Sequence, residues 1–186
     1  MPLNETNNEV FIVDYDRNWP NVFREERDLI LSTCKSLVLE IEHIGSTAIP
    51  NQKAKPIVDM MIGIESLEST EPLLEQLNNL EYQIVETGMR ARLFLRKPSG
   101  AVNVQFYHLH IVEMSSWKNR IERIMRDYLC AHPNDVEAYG KLKETLAARF
   151  SEESLEYTKA KTEFIQNLIN NACDDLGQPK IGVWND

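Results

Sequence analysis

The sequence predicts an α+β fold with an α/β-type core: a mixed β-sheet flanked by helices over about residues 9–114, then a helical C-terminal part over about 115–176. Three observations carry this. Short β-like runs and helical patterns share the first half, and from Ser115 the apolar residues keep only a helical period. The 186 residues also lack a repeat or low-complexity linker, so they suit one domain, 1–186, with its own core.

Taken in order, EVFIVDY at 9–15 predicts a short strand. A helix follows from about Pro20, where proline fits the first turn and Val22, Phe23, Glu26, Leu29 and Ile30 recur at helical spacing. LVLEIEHI at 37–44 alternates as a strand, with Leu37, Leu39, Ile41 and His43 on one face. The denser apolar run at 56–64, PIVDMMIGI, suits a central strand that tolerates proline at its first residue. Thr70 precedes a helix with Pro72 in its first turn and Leu73, Leu74, Leu77 and Leu80 facing inward. Strands are expected at 82–86, 91–96 and 102–112, the last two joined by a Pro-Ser-Gly turn at 98–100. Three helical faces finish the chain: Trp117 to Leu129, Val136 to Phe150 after the break at His132-Pro133, and Leu155 to Ala172, ending near Gly177.

Composition narrows the partners. A net charge of −9 argues against non-specific nucleic-acid or anionic-membrane binding, and no window approaches a membrane span. Cys34, Cys130 and Cys173 lie far apart without metal-ligand spacing, and MPLNETNNEV lacks the features of a secretory signal; both fit a cytoplasmic protein. A small phosphorylated ligand stays open, because Lys53, Lys55, Arg90, Arg92 and Arg96 flank the motifs and a few cations set the field in a cleft.

The motifs begin with Gly45-Ser46, where glycine lets the backbone turn tightly and the adjacent hydroxyl can bond phosphate oxygens. Alone the pair describes many plain turns. With twelve residues between it and Ser46, Asp59 sits inside an apolar run, where a carboxylate needs a cation, donors or a metal. Gly-Ser, this spacer and a strand-borne acid resemble the nucleotidyltransferase signature, in which a second carboxylate two residues on shares the metal-binding face. Here that position is Met61, a weak sulfur ligand, which puts ordinary Mg²⁺ chemistry in doubt.

His108 and His110, in FYHLHIVE, share one strand face with Cα atoms roughly 6.5–7 Å apart. With Asp59 and His43 they make a candidate set for a divalent transition metal such as Zn or Mn rather than Mg. They equally suit direct anion contact or hydrogen-bonded sheet positions. In GMRARLFLRK, Arg90, Arg92, Phe94 and Arg96 alternate on one face, which would clamp phosphate if turned to the cleft and would be an ordinary amphipathic strand if turned to solvent.

YDRNWPNVF, IEHIGSTAIP, KPIVDMMI, HLHIV, RDYLCAHPNDVEAYGKLKETLA and YTKAKTEFIQNLINNA together resemble the GrpB family of nucleotidyltransferase-like proteins over nearly the whole chain. The resemblance implies a nucleotidyltransferase-like mixed sheet with a helical C-terminal part. It also implies that the single carboxylate belongs to the family's own pattern, and it brings no reaction. A related domain occurs fused behind dephospho-CoA kinase in some bacteria, which suggests a coenzyme A pathway kinase as partner. Tyr157, Lys159 and Lys161 of YTKAK are candidates for the cleft or for an exposed helix face. Asn51 stands where many relatives have glycine, and asparagine tolerates positive φ.

The expected function is binding of a nucleotide or other phosphorylated small molecule, with metal-dependent nucleotidyl transfer at an altered carboxylate site. Asp59 and Ser46 are the catalytic candidates. Gly45, Ser46, Lys55, Arg90, Arg92 and Lys161 would meet substrate, and Asp59, His108, His110 and His43 a metal. The alternatives are a non-catalytic ligand-binding or partner-assisting module on the same fold, and a metal-dependent hydrolase built on the histidines.

Overall fold

The computed structural model describes residues 10–89 and 91–183. The element order is α1 (Trp19–Cys34), β1 (Glu40–Ile44), β2 (Ile57–Ile64), α2 (Glu71–Asn79), β3 (Gln83–Ile84), β4 (Leu93–Pro98), β5 (Phe106–Glu113), α3 (Ile121–Ala131), α4 (Pro133–Arg149), α5 (Ser154–Ala160) and α6 (Thr162–Leu176). The five strands form one sheet in the order β1-β2-β5-β4-β3. It is mixed: β2 and β5 run parallel and the other neighbours antiparallel. The α+β expectation therefore holds.

Five expected elements differ, one of them the 102–112 strand, which begins only at Phe106. Of the 9–15 strand, only Val13 pairs, in an isolated bridge with Ala54 (2.9 and 3.0 Å). A β-prone run without a ladder partner stays a single extended segment. The 37–44 strand begins at Glu40, because Lys35–Leu37 closes α1 with a 3₁₀ turn. The 82–86 strand shrinks to Gln83–Ile84 on the sheet edge. The third helical face divides at Lys161 into α5 and α6.

Register fixes which side chains share a face. Val58, Met60 and Ile62 of β2 alternate inward with Leu109 and Ile111 of β5 and Leu95 of β4, and α1 and α2 cover them with Trp19, Val22, Phe23, Ile30, Leu73 and Leu77. Fully burying each large aliphatic contributes about 1.5–3 kcal/mol. This face also holds one buried ion pair, Lys97 Nζ to Glu26 Oε1 at 2.6 Å, with the Tyr82 hydroxyl donating to the same oxygen at 3.0 Å. Its two charges and its phenol satisfy one another, as burial requires.

The other face is polar. Asp59 and Met61 of β2 lie beside His108 and His110 of β5, which lie beside Arg96 and Phe94 of β4. Helix α3 is tied to this side by charge: Arg123 and Arg126 bind Glu42 of β1 at 2.6–3.0 Å, and Glu122 pairs with Arg92. Met61 is fully buried with Ile44, Val112 and Trp117.

Candidate functional site

Asp59 and His108 are register partners on the two parallel strands, and their side chains meet, Asp59 Oδ1 to His108 Nδ1 at 3.1 Å. They are 26 % and 21 % exposed, open enough to meet a ligand. Burial pushes the Asp59 carboxyl up, but the His108 bond and the fields of His108, His110 and His43 outweigh it and hold the group below its usual range. Gly45 makes the approach to this carboxylate feasible. Its φ is +69°, and a Cβ there would fall on Asp59 Oδ2 and within 3.0 Å of the Asp59 Cβ. Only glycine combines that conformation with that contact. Asn51, in the loop between β1 and β2, adopts φ +63°, as asparagine can.

The other two histidines point elsewhere. His43 pairs in register with Met60, so its ring lies on the opposite sheet face from Asp59 and stacks on Phe23 (4.8 Å between centroids, 12° between planes). Thr47 Oγ1 donates to the Ile57 carbonyl at 2.9 Å, so at 3.0 Å it accepts from His43 Nε2–H, which fixes the neutral tautomer. Burial holds this ring's pKa down to about 4. His110 shares the Asp59 face, but its Nδ1 faces Arg92 Nη1 at 3.4 Å, and burial likewise lowers it to about 4. The Phe94 ring lies 5.0 Å from His108 and 4.9 Å from His110. Among the described residues, no group of three or more His, Cys, Asp or Glu side chains is assembled to hold a metal ion.

The arginine run divides. Arg92 is buried against Glu122 and His110, and the Arg96 guanidinium lies 4.2 Å over the Phe106 ring. Arg90 lies outside the described residues.

A cationic wall comes instead from lysines on three separate segments. Lys143 of α4 is 2 % exposed and places Nζ 3.0 Å from Ser46 Oγ. Lys55, in the approach to β2, donates to Ser154 Oγ at 3.1 Å. Lys161 sits at the junction of α5 and α6. Lys55 and Lys161 share the Tyr157 ring (4.9 and 4.2 Å), and Lys143 lies 4.4 Å over Tyr139. Among the described residues none of the three has a carboxylate within ion-pair distance. Burial lowers all three amines. Lys161 also pushes Lys143 well below the ordinary range, and burial plus Lys55 bring Lys161 to about 8 against the opposing pull of Asp59.

Of the YTKAK residues, then, Tyr157 and Lys161 turn inward, while Lys159 pairs with Glu156 on the surface (2.8 Å). Lys143 is the site residue that motif reading missed. Its signal was periodic: it lies four residues after Tyr139 and three before Leu146, on the stripe that buries Val136, Tyr139 and Leu146. A lysine on a buried stripe marks a special environment.

Comparison with known proteins agrees with this architecture. UPF0157 protein YqkA of Bacillus subtilis is 34 % identical over 165 residues, 88 % of this chain and 47 % of its own, so the chain spans about half of that relative. The crystal structure of conserved protein GrpB from Enterococcus faecalis matches with TM-score 0.80 at 28 % identity, over 90 % of this chain and all of that one. A chain in the structure of the GLD-2/RNP-8 complex matches with TM-score 0.50 at 12 % identity, covering 74 % of this chain and 44 % of its own. That last likeness is one of fold alone. The family model described as GrpB protein matches residues 9–171, and the chain belongs to the GrpB family.

Proposed function

We propose that the protein binds a nucleotide or another phosphorylated small molecule between the Ser46 turn, the Asp59–His108 pair and the lysine wall. One observation carries the reading. Lys55, Lys143 and Lys161 are drawn together in a half-buried region without a carboxylate in ion-pair reach among the described residues. Uncompensated buried charge is costly, and a polyanionic ligand removes the cost. Lys55 and Lys161 would neutralise phosphate oxygens, with Ser46 donating a hydrogen bond, and His108, held by Asp59, would face the ligand.

The residues do not fit the two-metal carboxylate arrangement associated with the fold. Asp59 is the one carboxylate on its strand face, Met61 is packed into an apolar cluster, and His43 faces the other side of the sheet. No step is therefore assigned to a metal. The same observation favours, as a second reading, a ligand-binding module without nucleotidyl transfer.

Thermal-shift titration separates these readings. Nucleoside mono-, di- and triphosphates and inorganic pyrophosphate are tested with and without Mg²⁺, Mn²⁺ or Zn²⁺, on wild type and Lys161→Met. Stabilisation that grows with phosphate number and is lost in Lys161→Met is expected. No shift across the panel would sink the reading. Metal-dependent pyrophosphate release from a triphosphate, abolished in Asp59→Ala, would replace the binding-module reading with transfer.

A further inference from the structure

We propose that Ser46 is a nucleophile and Lys143 its base, so that the site cleaves a phosphoester or phosphoanhydride through a covalent Ser46 intermediate. The substrate class rests on the phosphate-binding reading above; the pair itself rests on geometry. Gly45, at φ +69°, turns the chain off β1 so that Ser46 faces α4, ninety-seven residues further on, and Ser46 Oγ and Lys143 Nζ stand 3.0 Å apart. Nucleophile–base pairs operate at that separation.

A lysine is a base only when neutral, and this one has the surroundings that make it so. Lys143 is 2 % exposed and lies over the Tyr139 ring, with no carboxylate in ion-pair reach among the described residues. The titratable groups around it are Lys161 from the α5–α6 junction, Tyr139 from its own helix, and, beyond Lys161, Lys55 and Asp59 from the β2 segment. Burial and Lys161 both drive its proton off. The surface lysine Lys53 makes the contrast, held by Asp14 at 2.9 Å and Glu144 at 2.7 Å. Three lysines thus divide the work: Lys143 takes a proton, while Lys55 and Lys161 offset charge on the phosphoryl oxygens.

The step balances without a further reagent beyond water. Ser46 Oγ forms a bond to phosphorus as its proton moves to Lys143 Nζ. The bond from phosphorus to the leaving oxygen breaks, and that oxygen takes the proton back from Lys143. Water then attacks phosphorus, its proton passing through Lys143 to Ser46 Oγ as the phosphorus–Oγ bond breaks.

A fluorophosphonate probe tests this on the full chain, because attack at its phosphorus expels fluoride and leaves a stable adduct. Peptide mass spectrometry is expected to find one adduct, on Ser46, at pH 7.5, and none in Ser46→Ala. Labelling should slow by about a hundredfold in Lys143→Met and in Lys143→Arg, the latter keeping a long nitrogen-bearing side chain that stays protonated and so cannot act as the base. Absence of a Ser46 adduct in folded wild type would overturn the inference, as would an unchanged rate in Lys143→Arg. If neither variant folds, the wild-type pH profile decides. A rate that levels off below the range of an ordinary lysine supports the pair, and one that climbs through about pH 10.4 rejects it. Inorganic pyrophosphate should slow the labelling; an adduct that forms at the same rate with pyrophosphate present would discard the phosphate-binding reading alone.

Discussion

The two faces of the sheet treat buried lysine in opposite ways. Under α1, Lys97 is buried with its own carboxylate, Glu26, at 2.6 Å and a tyrosine hydroxyl on the same oxygen. Behind the other face, Lys143 is buried more deeply and among the described residues meets a serine hydroxyl and an aromatic ring, with no carboxylate in ion-pair reach. The first arrangement is complete within the chain. The second is incomplete, and a chain that completes Lys97 could have completed Lys143. Beside the Ser46 turn, Lys143 has no carboxylate in ion-pair reach among the described residues, and that is what recommends the place as a site.

Four substitutions and one titration sharpen or break this contrast. The largest effect is expected from Glu26→Ala, which strands Lys97 beneath α1 and removes the acceptor of Tyr82; chemical denaturation should show a loss of about 3–5 kcal/mol. Gly45→Ala forces a side chain into positive φ and onto the Asp59 carboxylate. It should cost about 2 kcal/mol or more and erase any ligand-induced thermal shift. Lys143→Met has the opposite sign. Removing an unpaired buried amine should stabilise the fold by about 1 kcal/mol or more while removing function, and destabilisation would break the comparison.

Titration follows from Lys161. Its folded pKa of about 8 lies below the ordinary lysine value of 10.5, so the folded protein binds fewer protons between those values. Its contribution to stability should therefore rise as pH goes from about 8 to 10.5. Phosphate favours the ammonium, so affinity should fall by up to about tenfold per pH unit above pH 8, measured by calorimetry. The smallest effect belongs to Lys159→Ala, two residues away. It removes only an exposed pair with Glu156 and should change stability by less than about 0.5 kcal/mol and ligand response not at all.

Much of this was legible in the sequence. Apolar density predicted β2, the turn at 98–100 set off the β5 strand, and the strand period put His108 and His110 on one face. The period of two alone could not say which face of the sheet His43 would join. That depends on the pairing of His43 with Met60, which is a matter of register. The run at 9–15 had strand propensity but found a single bridge partner, Ala54. Lys143 was hidden because a lysine in a helix ordinarily reads as solvated. Its burial follows from how α4 docks, which no local pattern contains.

The pairing of β2 with β5 and of Ser46 with α4 has a consequence for how the protein is made. Asp59 and His108 are separated by 49 residues, and Ser46 and Lys143 by 97. Contacts this distant demand closure of long chain loops before they repay it. On the ribosome the N-terminal core can emerge and collapse while the lysine of α4 is still untranslated. Ser46 and Lys143 can then meet only once synthesis has passed residue 143, and Lys161 joins them later still.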